Sequence, residues 1–409
     1  MSRMRVLIAG GGVGGLALAM ALRARGIGCT VFEAAREVRE LGVGINILPH
    51  AIAELAKLDL LDDLDAVAIR THTLTYMNRL GQEIWTEPRG MHAGHPVPQF
   101  SIHRGRLHGV LWRAAQARLP RGTLRPGHRL LAVRQHPNSV TASFETPSGE
   151  IIRARGDVLI GCDGIHSALR SLLHPEDGGI RWSGIRMWRG AVDWPAWRGG
   201  EAMLVAGDMA EKLIFYPIAA GGSPDTRLTN WVICVRDGDG STPPPGRQDW
   251  SRRGSLEELL PHVRRFAIPG LDVEALIRAT PENWEYPMAD RDPLPWWTQG
   301  RVTLMGDAAH PMYPVGSNGA SQAVLDAISL ADHLASHEPA PAALAAYEAQ
   351  RRPATTALVH SNRQGGPERV LDAVGARAPD GFARLEDIIA REELAAIGGQ
   401  YAAMAGFAR

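Results

Sequence analysis

Six residues near the N-terminus, GGGVGG, have the types and spacing of a phosphate-binding turn. They contain Gly10-x-Gly12-x-x-Gly15 between a hydrophobic run and a helical pattern, which is the dinucleotide-binding fingerprint. Gly10 would permit the tight turn, Gly12 the close approach of a pyrophosphate, and Gly15 close packing of helix on strand. The helix N-terminus, with Val13 and Gly14, would then stabilise the phosphate charge.

An acidic residue follows at the distance that a bound ribose requires. Glu33 ends the next hydrophobic run, eighteen residues after Gly15, and its carboxylate would accept hydrogen bonds from ribose hydroxyls. Ala34 comes next, and Arg36 is placed to reach the adenosine side. Together, strand, helix and acid predict dinucleotide binding rather than a packing loop. They do not separate FAD from NAD.

Two further clusters each contain an aspartate among small residues. Asp163 lies in GCDGIHSALR and Asp307 in GDAAHPMYP. Asp163 is equally suited to cap the helix that follows it, so the residue type alone leaves both interpretations open. Asp307 lies among alanines, and a buried carboxylate without a partner is costly. Ligand hydroxyls would supply that partner.

The segment after Asp307 predicts a flat polar ligand lying against the backbone. Its prolines, including Pro314, and the turn Gly316 to Gly319 precede a long helical pattern that starts near Ala320. Backbone N–H groups at that start, beyond Asn318, would favour negative charge on the ligand. The alternative is an ordinary Pro/Gly-rich loop with a helix cap.

A parallel sheet would position these clusters. Residues 5–9 and 28–33 are predicted as buried strands and 14–25 as the helix between them, which makes a βαβ unit. The runs 157–164 and 301–310 predict further strands of the same sheet. Each ends in Gly and Asp, where open α/β sheets bind ligands.

Other segments predict a second, antiparallel sheet. They are rich in aromatic and β-branched residues and comprise 71–78, 185–194, 212–219 and 228–236. The predicted fold class is therefore α/β, with a nucleotide-binding domain interleaved with a sheet domain. The nucleotide-binding domain is assigned residues 1–70, 100–180 and 285–365, and the sheet domain is assigned residues 71–99 and 181–284. A C-terminal helical tail comprises residues 366–409.

Composition excludes several other classes of function. The 44 basic and 44 acidic residues balance, which argues against nucleic acid as a partner. Cys29, Cys162 and Cys234 lack metal-ligand spacing and indicate a reducing compartment without a metal site. The uncharged run 6–22 resembles a signal peptide, but its glycines favour strand, turn and helix. We expect no membrane span, a cytoplasmic location and a monomer or homodimer.

The three clusters, in this order, resemble those of the group A, single-component FAD monooxygenases of aromatic compounds, nearest to the pyocyanin-forming phenazine type. Further similar strings are LGVGINI, EPRG, SIHRG, MWRG, NWV, DRDPLP and MYPVGSNGASQA. The resemblance implies a Rossmann-like FAD domain of the GR2 type, interleaved with a mixed, largely antiparallel substrate sheet. Ser321 occupies a position where the commoner pattern has Asn, which makes contacts at Gly316 and Asn318 less secure.

The resemblance implies FAD contacts along the whole chain. Asp307 would hold the ribityl chain, and Arg104 matches an arginine that contacts FAD, with a solvated surface arginine as the alternative. The implied contact residues are Gly10, Gly12, Val13, Gly14, Gly15, Glu33, Ala34, Arg36, Val43, Arg104, Val133, Asp163, Asp307, Pro314, Gly316, Asn318, Gly319 and Ala320.

The implied reaction is carried by the cofactor rather than by a catalytic dyad. NAD(P)H would bind transiently and reduce FAD, and O₂ would then give a C4a-hydroperoxide that hydroxylates an aromatic ring, with or without decarboxylation. His50, His72, His92 and His310 are candidates for assisting a phenol proton, but structural or solvated roles are favoured.

A small planar aromatic substrate, as in secondary metabolism, is the implied ligand. Trp188, Tyr216 and Trp231 would form a slot for it or belong to an ordinary core. Arg189 would meet a substrate carboxylate, and Ile45, Ile47 and Pro314 would line the cavity. A halogenase is disfavoured because no Trp-x-Trp-x-Ile-Pro segment exists, whereas a non-catalytic flavin redox sensor remains an alternative.

Overall fold

The computed structural model describes residues 4–37, 43–242, 252–336 and 338–408. The strands, in chain order, are β1 Arg5–Ala9, β2 Gly28–Glu33, β3 Gly44–Ile47, β4 Ile69–Thr71, β5 Thr73–Met77, β6 Glu83–Pro88, β7 Gln99–His103, β8 Leu124–Pro126, β9 Arg129–His136, β10 Ser139–Glu145, β11 Ile151–Gly156, β12 Val158–Gly161, β13 Ile180–Pro195, β14 Ala202–Gly207, β15 Glu211–Ala220, β16 Thr226–Arg236, β17 Asn283–Arg291 and β18 Val302–Leu304. The α-helices are α1 Val13–Ala24, α2 Pro49–Ala56, α3 Leu61–Asp65, α4 Arg104–Arg118, α5 Ala168–Leu173, α6 Leu256–Val263, α7 Val273–Arg278, α8 Gly319–Ala335, α9 Ala340–Arg363, α10 Arg369–Gly375 and α11 Arg391–Ala405.

A parallel sheet carries the three ligand-binding clusters. Its order is β18-β12-β1-β2-β8, and each neighbouring pair is parallel. The strands are almost continuously apolar because helices cover both faces of such a sheet. The prediction that 157–164 and 301–310 extend the first βαβ unit is confirmed. All three clusters therefore lie at the carboxyl ends of adjacent strands β1, β12 and β18.

A larger sheet forms the second layer, in the order β17-β13-β16-β15-β14-β5-β6. All of its pairs are antiparallel except β14 with β5, which confirms the mixed, largely antiparallel sheet. The predicted domain boundary at residue 285 falls inside β17, and this strand pairs with β13 in the larger sheet. The interleaved division into domains otherwise stays a prediction.

The C-terminal tail packs on the larger sheet. Val370 and Leu371 of α10 and Leu394 of α11 are buried in one cluster with Leu74 and Met203 from the sheet. Because alternate residues of a strand face opposite sides, this cluster uses one face of the sheet only. Among the described residues, no helix is long and apolar enough to cross a membrane.

Candidate active site

The N-terminal turn has the geometry of a cradle that is closed towards the protein and open on one side. Gly10 has φ +111°, and a Cβ there would lie 2.2 Å from the Cys162 carbonyl oxygen. A Cβ on Gly15 would lie 2.1 Å from the Gly10 oxygen. At Gly12, by contrast, a Cβ would meet no protein atom within 4 Å. Space for a ligand is therefore open at Gly12, at the N-terminus of α1 where Val13 and Gly14 begin the helix.

Glu33 is oriented at the end of β2 by two backbone amides. Its Oε2 accepts a hydrogen bond from Gly11 N at 2.7 Å, and its Oε1 accepts one from Ala35 N at 2.7 Å. Ala34 is exposed beside it, and Arg36, also exposed, donates weakly to the Pro147 carbonyl at 3.4 Å. The Glu33 carboxylate and the glycine turn thus lie at the same edge of the parallel sheet.

Asp163 caps the short helix α5. Its Oδ1 accepts a hydrogen bond from Ser167 Oγ at 2.5 Å and its Oδ2 one from Ala168 N at 2.7 Å. This is the alternative that the sequence left open, and a contact with FAD stays a prediction. The same helix contains Arg170, which is fully buried and donates to the Ala309 carbonyl at 3.0 Å. The second and third clusters are therefore joined directly.

Asp307 is the acidic group that lacks a protein partner. Its side chain is exposed to solvent, whereas the sequence suggested burial, but enough protein surrounds the carboxylate in this recess to desolvate it in part. No hydrogen bond or ion pair to its carboxylate occurs within the described part of the chain. Desolvation raises the pKa of Asp307, while the nearby charges of His310 and Arg104 oppose that rise. The positive charge of Arg104, at the start of α4, is therefore near enough to act on this carboxylate.

The turn between Pro314 and Ala320 presents backbone rather than side chains. Gly316 has φ +67°, and Asn318 is buried with its Nδ2 donating to Tyr401 Oη at 3.2 Å. Helix α8 starts at Gly319 without a side-chain cap, so its first N–H groups are available to a ligand. Ser321 is turned inward, where its Oγ accepts from Leu48 N at 3.0 Å.

Two remaining predicted FAD residues lie in different surroundings. Val43 is buried, and its carbonyl accepts a hydrogen bond from Arg104 N at 3.0 Å. Val133 lies on β9 and packs against the main core. The preceding part of the LGVGINI string, Leu41 and Gly42, lies outside the described residues.

Comparison with known proteins identifies the family of this chain. Residues 3–362 match the model of the family described as FAD binding domain. The chain belongs to this family. It is 44% identical over 364 residues to the phenazine 1,6-dicarboxylic acid hydroxylase PhzS of Lysobacter antibioticus, covering 88% of this chain and 89% of that protein. It is also 32% identical to the 3-hydroxybenzoate 6-hydroxylase of Klebsiella oxytoca, over 91% and 90% of the two chains.

Solved structures agree on the fold. A salicylate hydroxylase in complex with its substrate matches with a TM-score of 0.75 and 23% identity, over 99% of this chain and 98% of that one. Klebsiella pneumoniae HpxO, complexed with FAD and uric acid, matches with a TM-score of 0.74 and 23% identity, over 99% and 96%. The predicted resemblance to FAD-dependent aromatic monooxygenases is thus confirmed, and FAD is the cofactor of this flavoprotein.

The residues of the recess fit FAD. The open space at Gly12, the carboxylate of Glu33 and the unpartnered Asp307 provide for pyrophosphate, ribose and ribityl groups in turn. The uncapped start of α8 would face the flavin ring. Each individual contact with FAD nevertheless stays a prediction.

A cavity lies between the turn from Pro314 to Gly319, called the flavin turn below, the larger sheet and the C-terminal tail. Its empty volume, which includes space open to solvent, is about 940 Å³. Most of its wall is apolar, and residues on alternating positions of the strands form its floor, including Met187, Met203, Val205, Ile214, Val232 and Met288. The turn Pro314–Ser317 forms one wall, and Tyr401 and Ala402 of α11 close another. A ligand in this cavity would therefore lie beside the flavin.

Some residues predicted to meet a substrate do not line this cavity, and for the two tryptophans the alternative of an ordinary core fits their surroundings. Trp188 and Trp231 are buried in a cluster on the opposite face of the sheet, because the residues next to them on β13 and β16 face the cavity. Ile47 is buried in the core of the FAD-binding layer and Ile45 packs against it, whereas Leu48 reaches the cavity.

Three predicted substrate residues do lie on the cavity wall: Arg189, Tyr216 and Pro314. Their contact with a substrate stays a prediction. Sequence reasoning missed the polar residues Lys212 and Glu368, which also line the cavity. No local motif surrounds Lys212. The available signal was that Lys212, Ile214 and Tyr216 are alternate residues of β15 and therefore face the same side of the sheet.

Arg189 is a cationic group without a carboxylate partner. Its Nη2 donates to the Gly44 carbonyl at 2.6 Å and, at 3.5 Å, to Asn230 Oδ1, and the hydroxyls of Tyr216 and Tyr286 lie near the guanidinium. No acidic side chain forms an ion pair with it anywhere in the described ranges. Its Nε and the neighbouring Asn230 Nδ2 are buried N–H groups without a hydrogen-bond partner. The site can thus receive an anion.

The candidate histidines are engaged elsewhere or buried without partners. His310 Nε2 lies 2.5 Å from Asp326 Oδ2, and His72 Nδ1 lies 2.7 Å from Glu201 Oε2 and its ring packs on His92. Both nitrogens of His50 lack partners, and its ring stacks on Phe407. The structural interpretation of these histidines therefore fits their surroundings.

We expect His50 to make the protein sensitive to acid. Burial and the nearby Arg351 lower the pKa of His50 from 6.5 to about 4. Because the unfolded state binds this proton more readily, stability is lost as pH falls from about 6.5 towards 4. Between pH 7 and pH 5 the loss amounts to about 2 kcal/mol.

A His50→Phe variant preserves the stacking and should lose about 2 kcal/mol less stability over that pH interval. Urea unfolding at pH 7 and pH 5, with FAD in excess, measures this difference. A variant of the exposed His166, His166→Phe, is the control and should follow the wild type. Identical pH dependence in wild type and His50→Phe would contradict the prediction.

Proposed function

We propose that this flavoprotein hydroxylates a planar aromatic or heteroaromatic carboxylic acid at the expense of NAD(P)H and O₂. The observation that carries the proposal is the placement of Arg189, a half-buried cation with no acidic partner among the described residues, in a largely apolar cavity beside the flavin turn. Its relatives include hydroxylases named for phenazine 1,6-dicarboxylic acid and 3-hydroxybenzoate. A planar aromatic carboxylic acid would fit the apolar cavity, and its carboxylate would pair with the positive charge of Arg189.

The residues of the chain would act by binding, orienting and excluding water. Arg189 would hold the carboxylate with two parallel hydrogen bonds, the arrangement that guanidinium groups favour. Met187, Ile214 and Val232 would cover the ring face and keep it dry. When bound, FAD supplies the redox and oxygen-transfer chemistry. The neighbouring turn would place the reacting ring against it.

The proposal favours an enzyme over a flavin-binding redox sensor. A sensor needs no cavity beside its flavin, whereas a hydroxylase must hold its substrate there. The cavity and its cation therefore favour turnover. Whether hydroxylation is accompanied by loss of the carboxyl group depends on which ring carbon faces the flavin.

Product analysis tests this proposal. The FAD-loaded protein would be incubated in air with NADH or NADPH and, separately, phenazine-1-carboxylic acid, phenazine-1,6-dicarboxylic acid and 3-hydroxybenzoic acid. We expect at least one acid to stimulate NAD(P)H oxidation and to gain one oxygen atom by mass spectrometry, with or without loss of CO₂. NAD(P)H oxidation that no aromatic acid stimulates, with hydrogen peroxide as its only product, would contradict the proposal.

A further inference from the structure

A buried ion pair lies on the same cavity wall as Arg189 and has no role in the function proposed above. Lys212 Nζ donates to Glu368 Oε2, and both side chains are almost fully buried. Lys212 lies on β15, and Glu368 comes from the C-terminal tail, beyond the part of the chain that matches the family model. The tail thus adds a charged group to the cavity.

The pair is not explained by stability alone. Replacing a buried ion pair by apolar residues of similar size is often neutral or stabilising, because the charges lose their hydration. Most of the surrounding wall is apolar, with Ile214, Val205 and Met203 close by on the sheet, and Glu87 and Arg89, which also line the cavity, pair with each other. A charged pair in such a wall suggests recognition of a polar group.

The pair has hydrogen-bonding capacity left over. Lys212 Nζ contacts Glu368 and, at 3.5 Å, the sulfur of Met209, whereas an ammonium group has three donors. In the described structure, Glu368 accepts through Oε2 only. Burial lowers the pKa of Lys212, but the negative charge of the adjacent Glu368 has the larger opposite effect. The net shift of this pKa is upward, so the lysine stays charged. One free donor and one free acceptor therefore lie side by side.

Strand register places the pair within reach of a ligand held by Arg189. Lys212 pairs with Cys234, and Cys234 pairs with Met187, two residues before Arg189 on β13. With neighbouring strands about 4.8 Å apart and a rise of about 3.4 Å per residue, the Cα atoms of Lys212 and Arg189 are roughly 12 Å apart. Both side chains point to the same face of the sheet.

We propose that Lys212 and Glu368 recognise a ring hydroxyl on the aromatic acid that Arg189 holds. A hydroxyl accepts one hydrogen bond and donates another, so it matches a donor and an acceptor placed side by side. A second carboxylate would be repelled by Glu368, and an unsubstituted ring edge would leave both groups unpaired. This inference rests on the proposed function and adds the substrate class, a hydroxylated aromatic carboxylic acid.

Calorimetric binding to the FAD-loaded protein, without NAD(P)H, tests the inference. The probes are phenazine-1-carboxylic acid, 6-hydroxyphenazine-1-carboxylic acid and phenazine-1,6-dicarboxylic acid. We expect the wild type to bind the hydroxylated acid at least tenfold more tightly than the parent acid. In the double variant Lys212→Met/Glu368→Gln this preference should fall to less than twofold, with the affinity for the parent acid changed less than twofold.

Asp372→Asn provides a matched control. Asp372 Oδ1 accepts from Met209 N at 3.0 Å, so it also fixes the tail to the sheet, but it does not line the cavity. This variant should keep the hydroxyl preference even if it lowers the melting temperature. Should the double variant not fold, Glu368→Asp retracts the carboxylate by one methylene and should reduce the preference at least threefold.

Several results would overturn the inference. One is an unchanged hydroxyl preference in the double variant or, where that variant does not fold, in Glu368→Asp. Another is that the wild type binds phenazine-1,6-dicarboxylic acid more tightly than the other two acids and that the double variant loses this preference. If the wild type binds none of the three acids, the proposed function itself fails, so the two failures are distinguishable.

Discussion

Replacing Gly12 with alanine should weaken FAD binding by about 100-fold while leaving the polypeptide folded. The added methyl group would meet no protein atom within 4 Å, so the chain can accommodate it. It would instead occupy the space in which the pyrophosphate approaches the N-terminus of α1. A factor of 100 corresponds to about 2.7 kcal/mol of binding free energy. Titration of the apoprotein with FAD, followed by flavin fluorescence, measures the change.

Two further glycine variants make this result specific. Gly399→Ala adds a methyl group at an equally open position, in helix α11, and should leave FAD affinity unchanged. Gly15→Ala would place its Cβ 2.1 Å from the Gly10 oxygen, and we expect it to lower the melting temperature of the apoprotein as well. Wild-type affinity in Gly12→Ala would show that the pyrophosphate does not approach this residue.

Replacing Arg189 with methionine should weaken the binding of aromatic carboxylic acids by at least 100-fold. The guanidinium is the cavity cation without an acidic partner in the described structure, and losing one member of a buried charge pair typically costs about 2–5 kcal/mol. Arg189→Lys keeps the charge but not the planar pair of donors, and we expect an intermediate loss of about tenfold. Calorimetry with phenazine-1-carboxylic acid on the FAD-loaded variants measures both losses.

The methyl ester of the same acid is the matched ligand control. It keeps the ring but carries no negative charge, so its affinity should differ by less than threefold between wild type and Arg189→Met. A similar loss for acid and ester would indicate that the cavity had collapsed rather than lost an anion site. Unchanged affinity for the acid would remove Arg189 from the proposed binding site.

Local patterns were sufficient for the FAD-binding layer. β1 and β2 have the bounds predicted from their apolar runs, and α1 differs by one residue at each end. A glycine turn and a continuous apolar run are short-range features, so they can be recognised without knowledge of the rest of the chain. The same applies to Asp307, which lies within the predicted strand run 301–310 and follows the observed end of β18, Leu304, by three residues.

The cavity was harder to predict because strand alternation does not say which face of a sheet is the inner one. The sequence placed both Trp188 and Arg189 at the cavity, although adjacent residues of a strand point to opposite faces. The elements that pack on each face of the sheet decided which of these two residues lies at the cavity. The helices α6 and α7 cover the face that carries Trp188 and Trp231, whereas the flavin turn and the tail face Arg189.

The amino-acid sequence alone predicted a dinucleotide site, the parallel sheet and the order of its three ligand-binding turns, because each of these depends on residues close together in the chain. FAD itself was implied by the resemblance of the three clusters to a family. Only the tertiary structure decided which side chains line the cavity. Lys212 and Glu368 are 156 residues apart, and Tyr401 of the tail meets Asn318 of the flavin turn across 83 residues. Such contacts arise when separate layers pack together, and no local spacing records them.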